Sequence, residues 1–460
     1  MSKLNRDVLY LIFEELQDDG KTLYSCLSVN KTWCETIIPI LWKNPWKFLK
    51  FGKEKSFLYV IISHLSDEMK NNLSEGVKDL YQKVSFNYIS FCRYLYSNHI
   101  GNIIKIHILP KDEIIKLFIN ENMKYTHLYI NDQFEFQLYH VPGAKRCFSN
   151  IEFLSCNTRI DDDILVGLAE ICKSIKELEL FIEVRNNNYG ITRLIEAQKN
   201  LSSVCFLTNW ARNDEQFCKS LENSLIKHAN NIHYFMITKQ PTTGILLLFV
   251  NLKILELKCN YLDITWNCLE NLSLPFLEIL KASRVPIKPL TNLIENTGGH
   301  LILIKIDNIR HDEKYNKKII EAIYQNCPNL KYLKLLFKNC NILELKNLLV
   351  NCQFLIGLFI IMDNVRDVFD CNNLFKILTE SSPDSLFKFK FGLYYRQVEP
   401  ESLKLFFDNW KGRHPMLLQL SQCANSNIKV YSSNLIEKYK AEGIIEKYDN
   451  YLHGEDFEWI

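Results

Sequence analysis

The segment at residues 327–335, CPNLKYLKL, contains the pattern that decides the fold. It contains the apolar residues Leu330, Leu333 and Leu335. Apolar and polar residues alternate at its end, from Leu333 to Leu335, which is typical of a short β-strand. Pro328 precedes them, and because proline lacks a backbone N–H it cannot continue a helix. The segment therefore predicts a strand that is entered directly from the end of a helix.

The same apolar-x-x-apolar-x-apolar pattern occurs ten times between residues 151 and 391, at intervals that average about 26 residues. The ten predicted strands contain Ile151/Leu154/Cys156, Ile175/Leu178/Leu180, Leu201/Val204/Phe206, Ile232/Phe235/Ile237, Leu252/Leu255/Leu257, Leu277/Leu280/Ala282, Leu301/Ile304/Ile306, Leu330/Leu333/Leu335, Leu355/Leu358/Ile360 and Leu386/Phe389/Phe391. Two weaker candidates precede them, at Ile103/Ile106/Ile108 and Tyr125/Leu128/Ile130.

Between these predicted strands the apolar spacing changes to that of an α-helix, at residues 164–171, 217–225, 319–323 and 343–349. A strand plus a helix with a period of about 20–29 residues resembles the leucine-rich repeat. The resemblance implies an α/β solenoid, or horseshoe, with a parallel sheet on its concave side and helices on its convex side. The alternative is another α/β fold in which strands and helices alternate.

The first 46 residues have a different pattern, which predicts three short helices. In the first of them, apolar residues between Leu4 and Leu16 occupy every side, so we expect that helix to be buried on all sides. Two further helices are too few to cover it, and its remaining face is expected to meet another protein or the rest of the chain. The alternative is a helical hairpin buried in its own core.

The segment contains Leu4-x-x-Asp7-Val8-Leu9-x-x-Ile12-Phe13-x-x-Leu16, then Leu23 and Cys26-Leu27, and then Val29-Asn30-Lys31-x-Trp33 with Trp42. With this motif it resembles the F-box, the adaptor-docking module of cullin-RING ubiquitin ligases. It implies that a Skp-family adaptor is contacted by Leu4, Val8, Leu9, Ile12, Phe13, Leu16, Trp33 and Trp42. The family usually has proline after the first leucine, whereas Asn5 stands there in this chain and is expected to cap the helix.

These patterns divide the chain into four parts. We expect an F-box over residues 1–46, a helical connector over 47–100, a leucine-rich-repeat solenoid over 101–420, and a C-terminal capping helix and tail over 421–460. The capping helix is predicted over residues 435–451.

Composition excludes several classes of partner. Hydrophobic residues make up 47% of the chain, and the net charge is only +2, so neither nucleic acid nor a membrane is expected as the main partner. The fifteen cysteines are scattered through apolar contexts, and the N-terminal residues do not read as a secretory leader. Both observations favour a reducing compartment, cytoplasmic and/or nuclear. Three cysteines, Cys172, Cys327 and Cys352, recur in a phrase that resembles the cysteine-containing class of leucine-rich repeats.

Catalytic and metal-binding motifs are missing from the sequence. Gly20-Lys21-Thr22 looks like the end of a phosphate-binding loop, but Glu15 stands where that motif requires glycine. Gly20 is therefore expected to end the first helix. No His-Glu-x-x-His, Cys-x-x-Cys or Gly-x-Ser-x-Gly occurs. We therefore expect no metal site, no cofactor and no enzymatic activity.

Residues that alternate with the core positions of a repeat should point to the concave side of the sheet. In the second half of the chain they are basic, and the set is Lys281, Lys305, Lys334, Lys388 and Lys390. Such a column is expected to attract an acidic or phosphorylated segment of a target protein. The alternative is that these lysines only keep exposed strands soluble.

Together these features predict the substrate-recognition subunit of an SCF-type ubiquitin ligase, which docks a Skp-family adaptor and, through it, a cullin. The repeats would hold a target protein whose identity the sequence does not reveal. The alternative is a leucine-rich-repeat scaffold or inhibitor that acts by protein binding outside any ubiquitin ligase.

Overall fold

A computed structural model describes residues 4–49, 54–71, 84–107, 111–131, 141–208, 214–259, 265–309, 311–363, 369–393, 398–422 and 433–449. The chain forms two compact units, Met1–His228 and Ala229–Ile460, which we describe separately. Parts of the predicted connector (50–53 and 72–83) and of the predicted tail (450–460) lie outside the described residues.

The first unit begins with three helices, α1 (Arg6–Glu15), α2 (Gly20–Cys26) and α3 (Lys31–Lys43). The side chains of Asn5, Asp19 and Asn30 accept hydrogen bonds from backbone N–H groups in the first turn of each. These bonds satisfy donors that a helix start would otherwise leave unpaired. Asn5 therefore provides the cap that we expected of it.

Gly20 begins α2 instead of ending α1, so that expectation was wrong. The turn from α1 to α2 is short, and the cap of the second helix is Asp19. A Cβ atom at position 20 would lie 2.6 Å from Cδ1 of Phe48. Glycine is present because the Phe48 ring packs directly against the backbone at this point.

The rest of the first unit alternates strands and helices. Its strands are β1 (Tyr94–Tyr96), β2 (His127–Ile130), β3 (Phe153–Asn157), β4 (Glu177–Ile182) and β5 (Ser203–Thr208), each parallel to the next. Its further helices are α4 (Glu54–Ser63), α5 (Asp67–Asn71), α6 (Ser97–His107), α7 (Lys111–Phe118), α8 (Ala144–Phe148), α9 (Asp162–Ile171), α10 (Gly190–Glu196) and α11 (Glu215–Ser224). Short 3₁₀ helices span Pro45–Phe48, Tyr88–Phe91 and Ile226–His228.

The second unit continues the same alternation. Its strands are β6 (Tyr234–Ile237), β7 (Ile254–Lys258), β8 (Ile279–Ser283), β9 (Leu303–Asp307), β10 (Tyr332–Phe337), β11 (Gly357–Met362), β12 (Lys388–Leu393), β13 (Met416–Gln422) and β14 (Ile445–Asp449), again all parallel. Its helices are α12 (Ile287–Glu295), α13 (Glu313–Asn326), α14 (Ile342–Asn351), α15 (Cys371–Ser381), α16 (Pro400–Asn409) and α17 (Ser433–Ala441), with 3₁₀ helices at Ile245–Leu248, Asn267–Leu269 and Asn339–Asn341.

Equivalent core residues of successive repeats lie side by side because neighbouring strands pair in register. Ile304 pairs with Leu333, Leu333 with Leu358, and Leu358 with Phe389, and all four are buried. Helices cover this face of the sheet: the α16 ring of Phe406 lies 5.6 Å from that of Phe389. Each repeat therefore buries its apolar side chains against its neighbours, as the predicted α/β leucine-rich-repeat fold requires.

All ten strands that the pattern predicts are present, and the weaker candidate at 125–130 is β2. The other weak candidate was wrong, because Ile103 and Ile106 lie in α6; Ile108 lies outside the described residues. A spacing of three residues also suits one face of a helix, so the pattern could not separate the two structures there.

The C-terminal helix predicted over 435–451 was wrong beyond Ala441. Helix α17 ends there, and Gly443 follows with a φ of 72°. That left-handed conformation terminates a helix readily when the residue is glycine. The chain then forms β14, which pairs with β13, so the sheet continues past the predicted limit of the repeats at residue 420.

The recurring cysteines cap helices. Cys172, Cys327 and Cys352 each follow the last residue of a helix and are buried. The Cys172 thiol lies 3.4 Å from the carbonyl oxygen of Phe148, and that of Cys352 lies 3.7 Å from the carbonyl of Cys327. Burial raises the pKa of Cys172 and Cys352 to about 12. These thiols therefore bridge adjacent repeats as weak donors and are not reactive nucleophiles.

A buried polar network connects α13 to strand β10. The side-chain amide of Asn316 donates to the carbonyl of Leu336 at 2.8 Å and lies 3.0 Å from Nδ1 of His311. Its oxygen accepts from the backbone N–H of Lys338 and from Nδ2 of Asn341. No described residue hydrogen-bonds Nε2 of His311. Burial, reinforced by the charge of Lys338, lowers the pKa of His311 to about 4.

Stability should consequently decrease in mild acid. Below an ordinary histidine pKa of about 6.5, the unfolded chain binds a proton that the buried His311 does not. The free energy of unfolding should fall by up to about 3 kcal/mol between about pH 6.5 and pH 4 for this reason. Urea unfolding at several pH values should show a shallower pH dependence in His311→Gln but not in His300→Gln, whose ring is exposed. The same pH dependence in wild type and His311→Gln would contradict this assignment.

Candidate protein-binding surfaces

Helix α1 has two apolar sides with different surroundings. Leu9 and Phe13 are only 3% and 2% exposed and pack with Leu23, Ile37 and Leu41. Helices α2 and α3 cover this one side only, as expected of two helices; that the remaining side is buried by another protein stays a prediction.

The other side of α1 is exposed to a degree unusual for large apolar residues. Leu4 is 57% exposed, Val8 42%, Leu11 62% and Ile12 45%. Val8, Leu11 and Ile12 are three and four residues apart in α1 and so share one side of the helix, and the exposed Leu4 lies just before the cap, Asn5. We name Leu4, Val8, Leu11 and Ile12 the α1 apolar surface. Exposed apolar groups in such an arrangement mark protein interaction sites.

The residues that the F-box resemblance assigns to the adaptor therefore separate into three groups. Leu4, Val8 and Ile12 belong to the α1 apolar surface. Leu9 and Phe13 lie inside the helical core, so their role is to hold the surface in place. Leu16, Trp33 and Trp42 are partly buried and pack against that core.

The two tryptophans make different contacts within the unit. The Trp33 ring meets the Phe13 ring edge-on at 5.1 Å and extends the helical core. The Trp42 ring stacks on Phe57 at 5.4 Å and lies 4.8 Å from Tyr88, so it packs against the segment after the helices. Because Trp42 is committed to contacts within its own chain, only its remaining exposed part is available to a partner.

Trp46 connects the three helices to the first repeat. Its indole N–H donates to the carbonyl of Tyr94 at 3.0 Å, and its ring packs on Phe57, His99 and Phe118. The side chain is buried. Residue 46, where the sequence places the end of the F-box, therefore lies inside a packed contact with the first strand.

The predicted lysine column is a real row in the second unit. Strand register aligns Lys281 with Lys305, Lys305 with Lys334, Lys334 with Phe359, and Phe359 with Lys390. Lys388 lies two residues earlier on β12, where it faces the ring of Tyr332 at 5.6 Å. The face of the sheet that these residues occupy is opposite the helices, and we call it the second face.

The lysines of this row are not equally accessible. Nζ of Lys334 lies 2.5 Å from Asp307 and 4.4 Å from the centre of the Phe359 ring. Nζ of Lys390 lies 4.8 Å from the same ring, and Lys390 is only 5% exposed. Two ammonium groups therefore flank one aromatic ring, which stabilises them by cation–π interaction. Lys281 and Lys305, like Lys334, are half-buried.

Part of the second face is apolar, which the sequence analysis did not anticipate. Leu336, Phe359 and Ile361 form a buried cluster beside the lysines. All six residues of β11, 357–362, are buried. An unbroken apolar run of this length is typical of a strand buried on both faces, so GLFIIM carried a signal that alternation alone did not reveal.

In the first unit, the second face carries aromatic side chains instead of lysines. Tyr94 and His127 stack at 3.9 Å, and Tyr96 and Tyr129 also stack at 3.9 Å. The sequence analysis missed these rings because β1 was not predicted. Aromatic residues at alternate positions, as in Tyr94-x-Tyr96 and His127-x-Tyr129, were the available signal.

Neither a metal site nor a membrane-spanning helix is found in the described parts of the chain. No group of three or more histidine, cysteine or carboxylate side chains in those ranges is arranged to hold an ion. None of the helices within them combines the length and apolarity needed to cross a bilayer.

Comparison with known proteins adds little. No protein-family model matches this chain, and no curated protein is significantly similar to it. Solved structures with some likeness include the complex of Rad7 and Elc1 in yeast, at 13% identity and a TM-score of 0.43, covering 73% of this chain and 85% of that chain.

Two others are leucine-rich-repeat proteins. LegL7 from Legionella pneumophila has 14% identity and a TM-score of 0.31, with 71% of this chain and 92% of that chain covered. A protein from Leptospira interrogans has 14% identity and a TM-score of 0.33, with 78% and 93% covered. At TM-scores below 0.5, these likenesses carry no argument about function.

The contacts of Trp46 predict that the first helices and first repeat unfold together. Trp46→Ala should lower the free energy of unfolding by about 3–5 kcal/mol, because it leaves a cavity among aromatic rings and removes the bond to Tyr94. Leu11→Ala is the matched control, since its exposed side chain should change stability by about 0.5 kcal/mol or less. Urea unfolding followed by circular dichroism measures both. Equal midpoints for the two variants would show that Trp46 does not connect these elements.

Proposed function

We propose that this protein is the substrate-recognition subunit of an SCF-type cullin-RING ubiquitin ligase. In this proposal the α1 apolar surface binds a Skp-family adaptor, and the repeats bind a target protein. The observation that carries the proposal is that α1 is anchored on one side and exposes large apolar residues on the other. Leu4, Val8 and Ile12 in that surface are also among the residues that the F-box resemblance assigns to the adaptor.

The energetics of the α1 apolar surface support a docking role. Burying a whole leucine or isoleucine side chain stabilises a complex by about 1.5–3 kcal/mol, so covering four half-exposed side chains contributes about 1 kcal/mol from each. Apolar anchors at the centre of an interface commonly supply most of its binding energy. The core beneath α1 holds these side chains in place before binding, which reduces the entropy lost on docking.

The proposed mechanism requires no catalytic group in this chain. An adaptor bound at α1 would connect the protein to a cullin, and a target bound to the repeats would be held near the ubiquitin-carrying enzyme. Tethering of this kind raises the effective concentration of a target lysine and so accelerates transfer. The second face of the second unit is the proposed target surface, and its half-buried Lys281 and Lys305 are less buried there than Lys390.

The chemistry of that surface suits an acidic or phosphorylated target segment. Lys281 and Lys305 lie on adjacent strands about 4.8 Å apart, so both can pair with one phosphate or with neighbouring carboxylates. The apolar cluster of Leu336, Phe359 and Ile361 lies on the following strands. Because that cluster is buried, the proposed contacts with the target segment are made by the lysines.

A second function is favoured by the contacts of Trp42 and Trp46. Both tryptophans pack on elements that follow the helices, so α1–α3 are built into the first unit. Helices in that position also suit a repeat cap, which would make the chain a protein-binding scaffold outside any ligase. Co-purification with a Skp-family adaptor distinguishes the two functions.

The α1 surface predicts a specific loss of adaptor binding. Val8→Ala combined with Ile12→Ala should weaken the affinity for a purified Skp-family adaptor at least tenfold, because two interface anchors are truncated. The melting temperature should barely change, since both side chains are exposed. Leu343→Ala combined with Val350→Ala is the matched control, an exposed apolar pair on α14. Isothermal titration gives the affinities; equal binding by both double variants would exclude α1 as the adaptor surface.

The lysine row predicts a change in target capture. Lys281→Glu combined with Lys305→Glu should remove most captured targets, because it reverses the charge that attracts an acidic segment. Lys346→Glu combined with Lys404→Glu, on exposed helix positions, makes the same charge change elsewhere. Proximity labelling in cells with cullin activity blocked compares the captured proteins, with adaptor binding checked in each variant. Identical target sets for the two variants would leave the row without a binding role.

A further inference from the structure

The second face of the first unit carries two rows of side chains that the proposed function does not use. Strand register places Tyr94, His127, Phe153 and Glu177 in one row across β1–β4. The second row contains Tyr96, Tyr129, Ser155 and Glu179, two residues further along the same strands. Each row therefore begins with aromatic rings and ends with a carboxylate.

The rings hold one another in fixed positions. The stacked rings of Tyr96 and Tyr129 are nearly parallel, at an interplanar angle of 6°, and the Phe153 ring lies 5.1 Å from that of Tyr129. The His127 ring lies 5.5 Å from Phe153. On the opposite face the same strands bury Leu128 and Leu154. Ordered aromatic side chains lose little entropy on binding, which makes them effective contact residues.

The charges of the two rows have one sign. Glu177 is exposed, and Glu179 accepts a hydrogen bond from the Ser155 hydroxyl at 2.7 Å. Neither row contains a lysine or arginine. Burial lowers the pKa of His127, so its imidazole is neutral near pH 7, and burial raises the pKa of Tyr129, which stays a phenol. The surface therefore carries two negative charges and no positive charge of its own.

The spacing of these groups fits cationic side chains. Ser155 is small and lies between Tyr129 and Glu179, which are two strands, or about 10 Å, apart. Because Ser155 is buried, an ammonium or guanidinium group of a ligand would lie above it, on the solvent side, between the aromatic ring and the carboxylate. Such a group gains both a cation–π contact and a charged hydrogen bond.

We propose that these rows form an interaction surface for an extended protein segment that carries two lysine or arginine side chains at alternate positions. Glu177 and Glu179 are two residues apart on β4, so their Cα atoms are about 6.8 Å apart. Alternate side chains of an extended ligand have the same spacing and point to the same side. One basic side chain pairs with Glu177 beside Phe153, and the next pairs with Glu179 beside Tyr129.

Charge decides against single-stranded nucleic acid as the ligand. Aromatic platforms also stack bases, but those surfaces are accompanied by basic side chains that neutralise phosphates. The two rows carry carboxylates instead, which repel a phosphate backbone. This binding surface requires neither an adaptor nor a ligase, so it stands independently of the proposed function.

The test measures fluorescence anisotropy of short labelled peptides with the full chain. A peptide containing Arg-Ala-Arg should bind, whereas peptides with Glu-Ala-Glu or with two adjacent arginines should bind at least tenfold more weakly. Glu177→Gln combined with Glu179→Gln should weaken the Arg-Ala-Arg affinity at least tenfold. Glutamine preserves shape and can still accept the Ser155 hydrogen bond, so folding should be unchanged.

Two controls make the result decisive. Glu170→Gln combined with Glu215→Gln removes the same charge from exposed helix positions and should leave binding intact. Tyr129→Leu should weaken binding while Glu177 and Glu179 are still present, which separates the aromatic contribution from charge. The proposal is overturned if Arg-Ala-Arg does not bind, if the Glu177/Glu179 variant binds as wild type does, or if an oligouridine competes for the surface.

Discussion

Everything in this structure depends on the in-register packing of each strand against the next. A single strand and helix of this length cannot bury its own apolar side chains, so each repeat uses its neighbours as its core. Pairing in register places Ile304, Leu333, Leu358 and Phe389 in one continuous buried row. The side chains that alternate with this row are then also aligned, and they form the surfaces to which we assign binding.

The first unit shows how such an array begins. Its first repeat has no preceding repeat to pack on, and the aromatic contacts of Trp42 and Trp46 fill that position. The same arrangement leaves one side of α1 without a partner among the elements that it packs against. The anchoring of α1 on one side and its exposure on the other therefore have one cause, because a three-helix segment has too few helices to cover all of its apolar residues. A docking role and a capping role are compatible in the same segment.

The second face differs between the units in a way that register explains. In the first unit the aligned positions are aromatic and acidic, whereas in the second Lys281, Lys305 and Lys334 form a basic run with Glu256 at one end and Phe359 at the other. The two units differ in which partner of a cation–π contact the protein supplies. In the second unit the protein supplies both the ring of Phe359 and its cations. In the first unit it supplies the rings and the carboxylates, which leaves the cation to a ligand.

The sequence by itself determined the repeat. The spacing of Leu330, Leu333 and Leu335, repeated ten times, was sufficient to predict ten strands, because those side chains must be buried wherever the chain leads. It also predicted the three first helices and the cap at Asn5. Local pattern failed where two structures share a spacing, as at Ile103 and Ile106, and where a single residue such as Gly443 changes the backbone direction.

Only the tertiary structure decided which apolar residues are available to a partner. Leu9 and Ile12 are equivalent in hydropathy and three residues apart, yet one is buried and the other is half exposed. Lys390 and Lys281 are equivalent in the pattern, yet Lys390 is buried and Lys281 only half-buried. Tyr94 and Glu177 lie at the two ends of one row across four strands although they are 83 positions apart in the chain. The exposed fraction of a side chain and the identity of the side chains next to it depend on what the rest of the chain packs against it. No local sequence pattern contains that information.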